Sequence, residues 1–550
     1  MPKWHRGIWR SAVGADSRIN VQVTLSRGQF VAVYVGLLLS IMLAALDQTI
    51  VSTALKSIVT DLGKQELVPW IGSAYLLTAA PLGTLYGKFA DIFGRKATFI
   101  FAITMFEVGS ALCGAATSME FLIAARAVAG IGGGGIFALV LIIISDIVSM
   151  QDRGKYQGAI GAVFGLSSVI APLLGGFFSD KVSWRWCFFI NLPLGAVTLF
   201  TVVAFLNFPP PAGTIKEKLH RIDGLGALLL FTAIISMVTP LQLGGSVWAW
   251  NSPQVIALFA ISPVLFAAFA YVELKVAAEP IIPASIFVNA TVPAVLFSAF
   301  CLGATMLSGS YYLALFFQVV LGESSTQAGL ENLPMVFGLV VLSITSGIWI
   351  SRNGTYRHFF FAAPVIMSIG TGLLSTLNAS SSLGLRMLFL FIFGTGVGSL
   401  IQVRIITVQA AVPRELIATA NTLGGAVGVA ITGTLLNNMM TANTTDAVSL
   451  NAFVARMNAR GVSVHSSDVL ELLGMLQAGA EFYPRNDTVG AGVYNATLAN
   501  ATSELIAGFN ASYRSAYLYM LPYPAIIFVL AFFVKQFQMK AGGPGAAGGH

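Results

Sequence analysis

Charged side chains are scarce in this sequence. Only 10% of its 550 residues are Asp, Glu, Lys or Arg, whereas 56% are hydrophobic. A soluble domain of this composition would expose large apolar patches, so the scarcity of charge excludes an ordinary soluble protein. The mean hydropathy is +0.81, and apolar runs of membrane-spanning length recur from about residue 30 to residue 537. We predict one integral membrane protein.

Residues that carry catalytic or metal chemistry are also few. The three cysteines lie in apolar segments and offer no disulfide framework or metal site. No histidine falls in a predicted span, and the sequence has no phosphate-binding P-loop and no nucleophile–base arrangement. We therefore expect no metal, no cofactor and no enzymatic activity. The net charge of +7 comes from basic loops, so no nucleic acid partner is expected.

Long apolar runs predict an all-α membrane protein, because helices satisfy their own backbone groups in lipid. About 14 transmembrane helices are expected. They lie at roughly 31–53, 68–87, 97–117, 120–146, 156–178, 186–207, 222–243, 254–273, 293–319, 327–350, 359–377, 385–411, 418–440 and 515–536.

The distribution of basic residues predicts the orientation. With the amino terminus in the cytosol, about two thirds of the 30 lysines and arginines fall on the cytosolic side, which follows the positive-inside rule. Residues 1–28 are basic and lack a cleavable signal sequence. We expect a multi-pass protein of the plasma membrane, or alternatively of the vacuolar membrane, with both termini in the cytosol.

A long loop at 441–514 supports this topology, because it carries five glycosylation sequons on the predicted non-cytosolic side. They begin at Asn443, Asn486, Asn495, Asn500 and Asn510. The predicted organisation is a basic tail at 1–29, a six-helix half at 30–207, a cytosolic linker at 208–221, two additional spans at 222–273, five spans at 274–440, the loop at 441–514, a last span at 515–537 and a flexible tail at 538–550.

Two loop sequences suggest that the halves are repeats. The charged run 87–96 reads GKFADIFGRK and joins two apolar segments, so it must lie at the membrane surface. A weaker echo, GIWISRNGTYR at 347–357, occupies the corresponding place in the second half. Two six-helix halves with two extra central spans would follow.

Four further motifs accompany this run. They are LDQTIVSTAL at 46–55, RAVAGIGGGG at 126–135, APLLGG at 171–176 and WRWCFFINLP at 184–193. Together with the run at 87–96 they resemble the major facilitator superfamily, and more narrowly its fungal fourteen-span drug:proton antiporters. Vacuolar basic amino acid transporters and toxin efflux carriers are close to this group. Ala171, where the antiporter signature has glycine, and Lys56, where the first-span motif has proline, depart from the pattern.

Two opposite charges are predicted to pair inside the membrane. Asp47 and Arg126 each lie about six residues from the outer end of their span, ~9 Å below the surface. Pairing would offset their burial, and intramembrane charges often mark transport pathways. A purely structural ion pair is the alternative. Glu107, in the middle of the third span without a matching base, is a further candidate for proton coupling; a hydrogen-bonded carboxyl group is its alternative.

The resemblance implies two conformational devices. The first is a latch that holds one alternating-access state, and its residues are Gly87, Asp91, Gly94, Arg95 and Lys96. Asp91 and Arg95 can bond across the turn, and the glycines permit tight backbone geometry. The second is an antiporter hinge, formed by Gly161, Gly165, Pro172, Gly175 and Gly176; plain helix packing is the alternative.

Polar residues within the spans are candidates for the substrate cavity. Gln402 and Gln409 lie seven residues apart and therefore on one helix face. The weaker candidates are Gln48, Tyr75, Gln318 and Asn421.

The resemblance implies a proton-coupled transporter that works by alternating access and exports small amphipathic compounds. Its partners would be a small-molecule substrate, protons and the lipid bilayer, and we expect a monomer. Vacuolar import of basic amino acids by proton antiport and siderophore transport are alternatives. A transporter-like nutrient sensor belongs to a different class, and the short predicted cytosolic tails argue against it.

Overall fold

The protein is described from a computed structural model. The structure describes residues 26–411, with short gaps at 65–66, 150–151, 209–210, 212, 244–247, 250, 278, 283–286, 288, 322 and 324, and residues 513–537, with gaps at 515–516 and 519. The predicted span at 418–440, all five sequons and Asn421 lie outside these residues.

The amino-terminal half consists of long helices that run back and forth. They are α1 (Arg27–Leu62), α2 (Val68–Phe93), α3 (Arg95–Gly114), α4 (Met119–Ile147), α5 (Arg153–Lys181), the short α6 (Trp186–Phe189) and α7 (Asn191–Phe205). Ser26 begins α1 with a capping box, and Ser118 caps α4 through the backbone N–H of Phe121. The helix α1 begins three residues before residue 30, the predicted start of the six-helix half. It ends nine residues after residue 53, the predicted end of the first span.

The middle of the chain contains three helices. They are the short α8 (Ile215–His220), α9 (Gly224–Leu243) and α10 (Pro253–Lys275). Residues 208–221 are predicted to be a linker, but within them Thr214 and Glu217 form a capping box that starts α8. The helices α9 and α10 pack on each other, and α9 also packs on α2.

The carboxyl-terminal half repeats the pattern of long helices. They are α11 (Thr291–Leu315), which continues into a π-helical turn (Phe316–Val320), α12 (Ser325–Glu331), α13 (Leu333–Asn353), α14 (Arg357–Leu374), α15 (Leu383–Ala411) and α16 (Pro522–Leu530), which ends in a 3₁₀ turn (Ala531–Phe533). Eight helices within the described residues are long and apolar enough to cross a membrane, and three shorter ones are also apolar. The count of fourteen spans remains a prediction.

The two halves meet along the glycine-rich face of α5, which packs against α13. A methyl group at Gly154 would overlap with the backbone of Gly347, and one at Gly165 would press on Val336 and Val340. Small residues allow helices to approach closely where lipid provides no hydrophobic driving force. The glycines of α5 therefore form a contact between the halves.

Charged and polar loops identify the two ends of the bundle. We call the end that carries Asp91 and Arg95 the loop end, and the opposite end the far end. The loop end also holds the start of α5 and the close of α13, since Gly154 lies against Gly347. The far end holds the ion pair between Lys64 and Glu120.

Candidate functional site

A buried ion pair joins α1 to α4. The Nη1 atom of Arg126 lies 2.6 Å from Oδ2 of Asp47, and the two side chains are 2% and 0% exposed. Arg126 also donates through Nε to the carbonyl of Ile71 at 3.2 Å, and its guanidinium lies 4.6 Å from the ring centre of Tyr75. The pairing predicted from equal depth is confirmed. Removal of either partner would leave a buried charge without compensation.

An asparagine connects this pair to α3. The amide nitrogen of Asn191, at the start of α7, lies 3.5 Å from Oδ1 of Asp47 and 3.2 Å from Oγ of Ser110. Asn191 is fully buried, and its own side-chain oxygen has no partner in the part of the chain that the structure describes. Sequence reasoning missed both Asn191 and Ser110. The only signal was a polar amide in the run 184–193, ahead of an apolar helix.

Glu107 lies one helical turn before Ser110 on α3. Within the described residues, neither of its carboxylate oxygens has a hydrogen-bond partner, and a methyl group at Gly195 would overlap with the carboxylate. The glycine of α7 thus makes room for an acid between two helices. The role of Glu107 in proton coupling stays a prediction.

The loop run at 87–96 forms a charge cluster at the loop end. Arg95 lies between Asp91 at 2.8 Å and Asp146 at 3.0 Å, and it also donates to the carbonyl of Ala90 at 3.0 Å. The pairing of Asp91 with Arg95 is confirmed, and Asp146 was missed because it lies 51 residues away on α4. Gly94 has a φ of 92°, which a side chain would strain.

Other residues of the run 87–96 bind helices farther away, in the amino-terminal half and in the middle of the chain. Lys96 donates to the carbonyl of Val203 at 2.7 Å, whereas Gly87 is buried within α2. Lys88 lies 2.9 Å from Glu279, which follows α10 and also binds Arg221 at 2.9 Å.

The pKa of Glu279 is lowered by its basic neighbours. Burial alone would raise the pKa of this carboxyl group, but hydrogen bonds from Arg221 and Lys88 outweigh it and lower the pKa below its ordinary value. Glu279 therefore stays charged and ties α2 to the middle helices.

The predicted hinge residues lie along α5. Gly161 faces Ser343 of α13, and Gly165 faces Val336 and Val340. The carbonyl of Gly175 lies 4.0 Å from the sulfur of Cys187. Gly176 is half-buried, and the side chain of Pro172 is not described. The packing role of the first two glycines is thus observed.

The candidate cavity residues separate into two groups. Gln48 lies beside the hydroxyl group of Tyr75, next to the buried ion pair. Gln402 and Gln409 lie on α15, each 1% exposed, with side-chain atoms that lack partners among the described residues. The backbone of Gln318 lies in the π-helical turn, but its side chain is not described.

An unpredicted amide extends the second group. Gln157 is fully buried on α5, and neither of its side-chain polar atoms has a partner within the described ranges. It lies one turn from Gly161, whose added methyl group would be 3.5 Å from Nε2 of Gln402. Since α5 and α15 belong to different halves, these amides lie where the halves meet.

Comparisons with known proteins agree with this architecture. The family model described as Major Facilitator Superfamily matches residues 37–435. An efflux pump of Arthroderma benhamiae, named MFS-type efflux pump MFS1, is 39% identical over 446 residues, which cover 79% of this chain and 83% of the pump. Multidrug resistance protein 3 of Bacillus subtilis is 37% identical over 424 residues, covering 76% of this chain and 81% of that protein.

A solved structure supports the fold alone. A double-tryptophan mutant of XylE superposes with a TM-score of 0.56 at 14% identity, covering 94% of this chain and 98% of that chain. The predicted major facilitator fold and the family resemblance are confirmed. The chain belongs to the Major Facilitator Superfamily and is a multi-pass membrane transporter of small molecules rather than an enzyme.

Proposed function

We propose that this transporter exports small amphipathic compounds in exchange for protons. The observation that carries the proposal is the enclosed Asp47–Arg126 pair, linked through Asn191 to the neighbourhood of Glu107. The names of the relatives, an efflux pump and a multidrug resistance protein, support export of foreign or toxic compounds. Fold alone does not define a substrate.

The proposed coupling uses both acids of the amino-terminal half. When a proton binds Asp47, its charge is lost and the attraction to Arg126 weakens, so α1 and α4 are free to change their contact. Among the residues that the structure describes, no group donates a hydrogen bond to Glu107. It is therefore suited to exchange protons with the pair by way of Ser110, one helical turn away on α3, and Asn191, which bonds to both Ser110 and Asp47.

The proton gradient supplies enough free energy for uphill export. One proton that crosses a potential of 100 mV gains about 2.3 kcal/mol. Each unit of pH difference adds about 1.4 kcal/mol. Together these favour export against a concentration ratio of more than tenfold.

We also propose the orientation, location and oligomeric state. Basic residues are concentrated at the loop end, which supports placing this end and both termini in the cytosol. The far end, the loop at 441–514 and its sequons would then face the exterior. We propose a monomer in the plasma membrane, with the vacuolar membrane as the alternative. Glycosidase treatment of intact cells tests the orientation, because a loop on the cytosolic side would carry no glycans.

Alternating access would use the two predicted devices. The Asp91–Arg95–Asp146 cluster holds the ends of α2, α3 and α4 together at the loop end. The glycine face of α5 provides the surface on which the halves pivot. We propose that these features serve as latch and hinge.

Flux in proteoliposomes tests the proposal. Purified protein is assayed with a panel of amphipathic drugs and with lysine, arginine and histidine, with and without an imposed pH gradient. Asp47→Asn and Glu107→Gln should each lose the gradient-driven flux, because each removes a titratable oxygen. Glu120→Gln, at the exposed far-end pair, is the matched control and should keep it.

The outcomes separate the alternatives. Full gradient-driven flux in both Asp47→Asn and Glu107→Gln would show that the proton assignments are wrong. Flux of basic amino acids with no flux of drugs would favour vacuolar import. Binding of a compound without any flux would favour a sensor.

A further inference from the structure

Two carboxylates share one guanidinium at the far end of the carboxyl-terminal half. Glu323 follows the π-helical turn after α11, Glu331 ends α12, and Arg386 lies in the first turn of α15. Nη2 of Arg386 lies 3.0 Å from Glu331, and its Nη1 lies 3.6 Å from Glu323. We call these three residues the far-end triad.

The far-end triad is shielded from solvent and incompletely bonded. The side chains of Glu323, Glu331 and Arg386 are 16%, 10% and 12% exposed. Among the described residues, the second carboxylate oxygen of each glutamate has no hydrogen-bond partner, and neither does Nε of Arg386. Within the triad, one positive charge against two negative charges leaves a net negative charge in an enclosed place. Such a site stabilises an additional proton.

We propose that Glu323 and Glu331 hold one proton between them against Arg386, so that the far-end triad is a second proton-binding site of this transporter. It is separate from Asp47 and Glu107, which lie in the other half. The proposal requires neither the export of drugs nor the proposed coupling mechanism. Only the statement that the site faces the exterior rests on the proposed topology.

The electrostatic environment of Glu323 agrees with a shared proton. Burial raises the pKa of Glu323, the neighbouring Glu331 raises it further, and Arg386 lowers it, with the result at about 7. Within the described residues, Glu331 and Arg386 are the charged groups that act on Glu323. Glu323 thus changes protonation near neutral pH.

Because of where the far-end triad lies, binding of the proton changes the attraction between helix ends. It joins the end of α11, α12 and the start of α15, and α12 also packs on α5 of the other half. With the proton bound, the triad is neutral overall and these elements attract each other. Without it, two carboxylates repel each other and loosen the far end where the halves meet.

The direction of the pH effect follows from the raised pKa. A carboxyl group whose folded-state pKa lies above its ordinary value contributes its stability fully below that ordinary value, 4.5. The contribution is lost as pH rises through about 7. The far end should therefore be tightest at acidic exterior pH and loosest in alkaline buffer.

Infrared difference spectroscopy of the full-length protein in lipid nanodiscs tests the proposal directly, without substrate. Titration across neutral pH should remove from the wild-type spectrum one carbonyl band of a protonated carboxyl group that is still present in Glu107→Gln, so that this band is independent of the acid in the amino-terminal half. Glu323→Gln and Glu331→Gln should each lack this band, because each leaves a one-to-one pair with Arg386. Glu120→Gln, in an exposed pair at the same end, should keep it.

A stability measurement provides the second readout. The melting temperature of wild type should fall as pH rises through neutrality, and Glu323→Gln should flatten this dependence. A wild-type spectrum without a neutral-pH carboxyl band, or a band that is unaffected by Glu107→Gln and persists in both triad variants, would overturn the proposal. Failure of drug export alone would leave the band unchanged, so the two proposals are distinguishable.

Discussion

The loop between α2 and α3 and the loop between α13 and α14 occupy corresponding positions in the two halves. Gly94 lies seven residues after Gly87, and Gly354 lies seven residues after Gly347. Both later glycines have a positive φ, 92° and 68°. The faint sequence echo therefore corresponds to a glycine with positive φ at the same place in each loop, which glycine adopts without strain, although the ψ angles differ, 148° at Gly94 and 7° at Gly354.

The two turns are held together by different interactions. In the first, Arg95 lies between two carboxylates, Asp91 and Asp146. In the second, Ser351 replaces the first acid, and neutral hydrogen bonds from the end of the chain hold the loop. Gln536 accepts from the backbone N–H of Tyr356 at 3.1 Å and donates to the carbonyl of Gly354 at 2.8 Å.

We call the first turn, held by Asp91, Arg95 and Asp146, the charged latch. We call the second turn, held by hydrogen bonds between 354–357 and 535–537, the neutral clasp. Charge pairs at a surface weaken as salt increases, whereas neutral hydrogen bonds do not depend strongly on ionic strength. The charged turn is thus suited to open and close during transport. The neutral turn is suited to remain closed, and it also brings Gly347 against Gly154 at the contact between the halves.

The largest effect is expected from Gly347→Ala, which disrupts the contact between the second turn and α5. The added methyl group would overlap with the backbone of Gly154, and the neighbouring helices cannot relax without separating. Overpacking of this kind costs about 2–3 kcal/mol. The free energy of unfolding in mixed micelles should fall by this amount, and flux in proteoliposomes should fall with it.

Gly372→Ala is the control for this substitution. Gly372 lies on α14, and a methyl group there meets nothing within 4 Å. Because alanine favours helices, this variant should be as stable as wild type or slightly more stable. Equal behaviour of the two alanine variants would contradict a tight contact at Gly347.

Arg95→Gln should give the next largest effect and sharpen the contrast between the turns. It leaves Asp91 and Asp146 facing each other without a cation, and Arg95 is 30% exposed, so solvent reduces the penalty to about 1–2 kcal/mol. A shift of this size changes the balance of two conformations about tenfold. Transport should therefore slow, and the defect should shrink as salt is increased.

The matched measurement compares wild type and Arg95→Gln at low and high salt. Labelling of a single engineered cysteine at the loop end reports how often that end is open. A labelling rate in Arg95→Gln that equals wild type at low salt would rule out the latch role. A defect independent of salt would point to packing rather than charge.

Local sequence patterns predicted part of this architecture. The apolar runs located the helices, and equal depth brought Asp47 and Arg126 together because both charges must avoid lipid. Asp146, Asn191 and Glu279 were not predicted, since their partners lie far away in the chain and depend on how helix ends converge.

Other structural features were not predicted because the local sequence signal was weak or overlooked. The π-helical turn at Phe316–Val320 interrupts an apolar run that contains no glycine or proline at that point. The break of the sixth span at Ile190 directly precedes Asn191 and Pro193, and this signal was overlooked. The helix α8 could have been found from its capping box, Thr214 and Glu217. The far-end triad was not predicted because its three residues belong to three different elements.

The smallest effect is expected from Tyr356→Phe in the neutral clasp. The hydroxyl group of Tyr356 donates to the carbonyl of Lys535 at 2.7 Å and accepts from the N–H of Phe537 at 2.9 Å. Its removal should cost about 1 kcal/mol, measured as a lower free energy of unfolding in mixed micelles. The cost should be the same at low and high salt, because no charge is removed. A salt-dependent cost equal to that of Arg95→Gln would show that the two turns are held by the same kind of interaction.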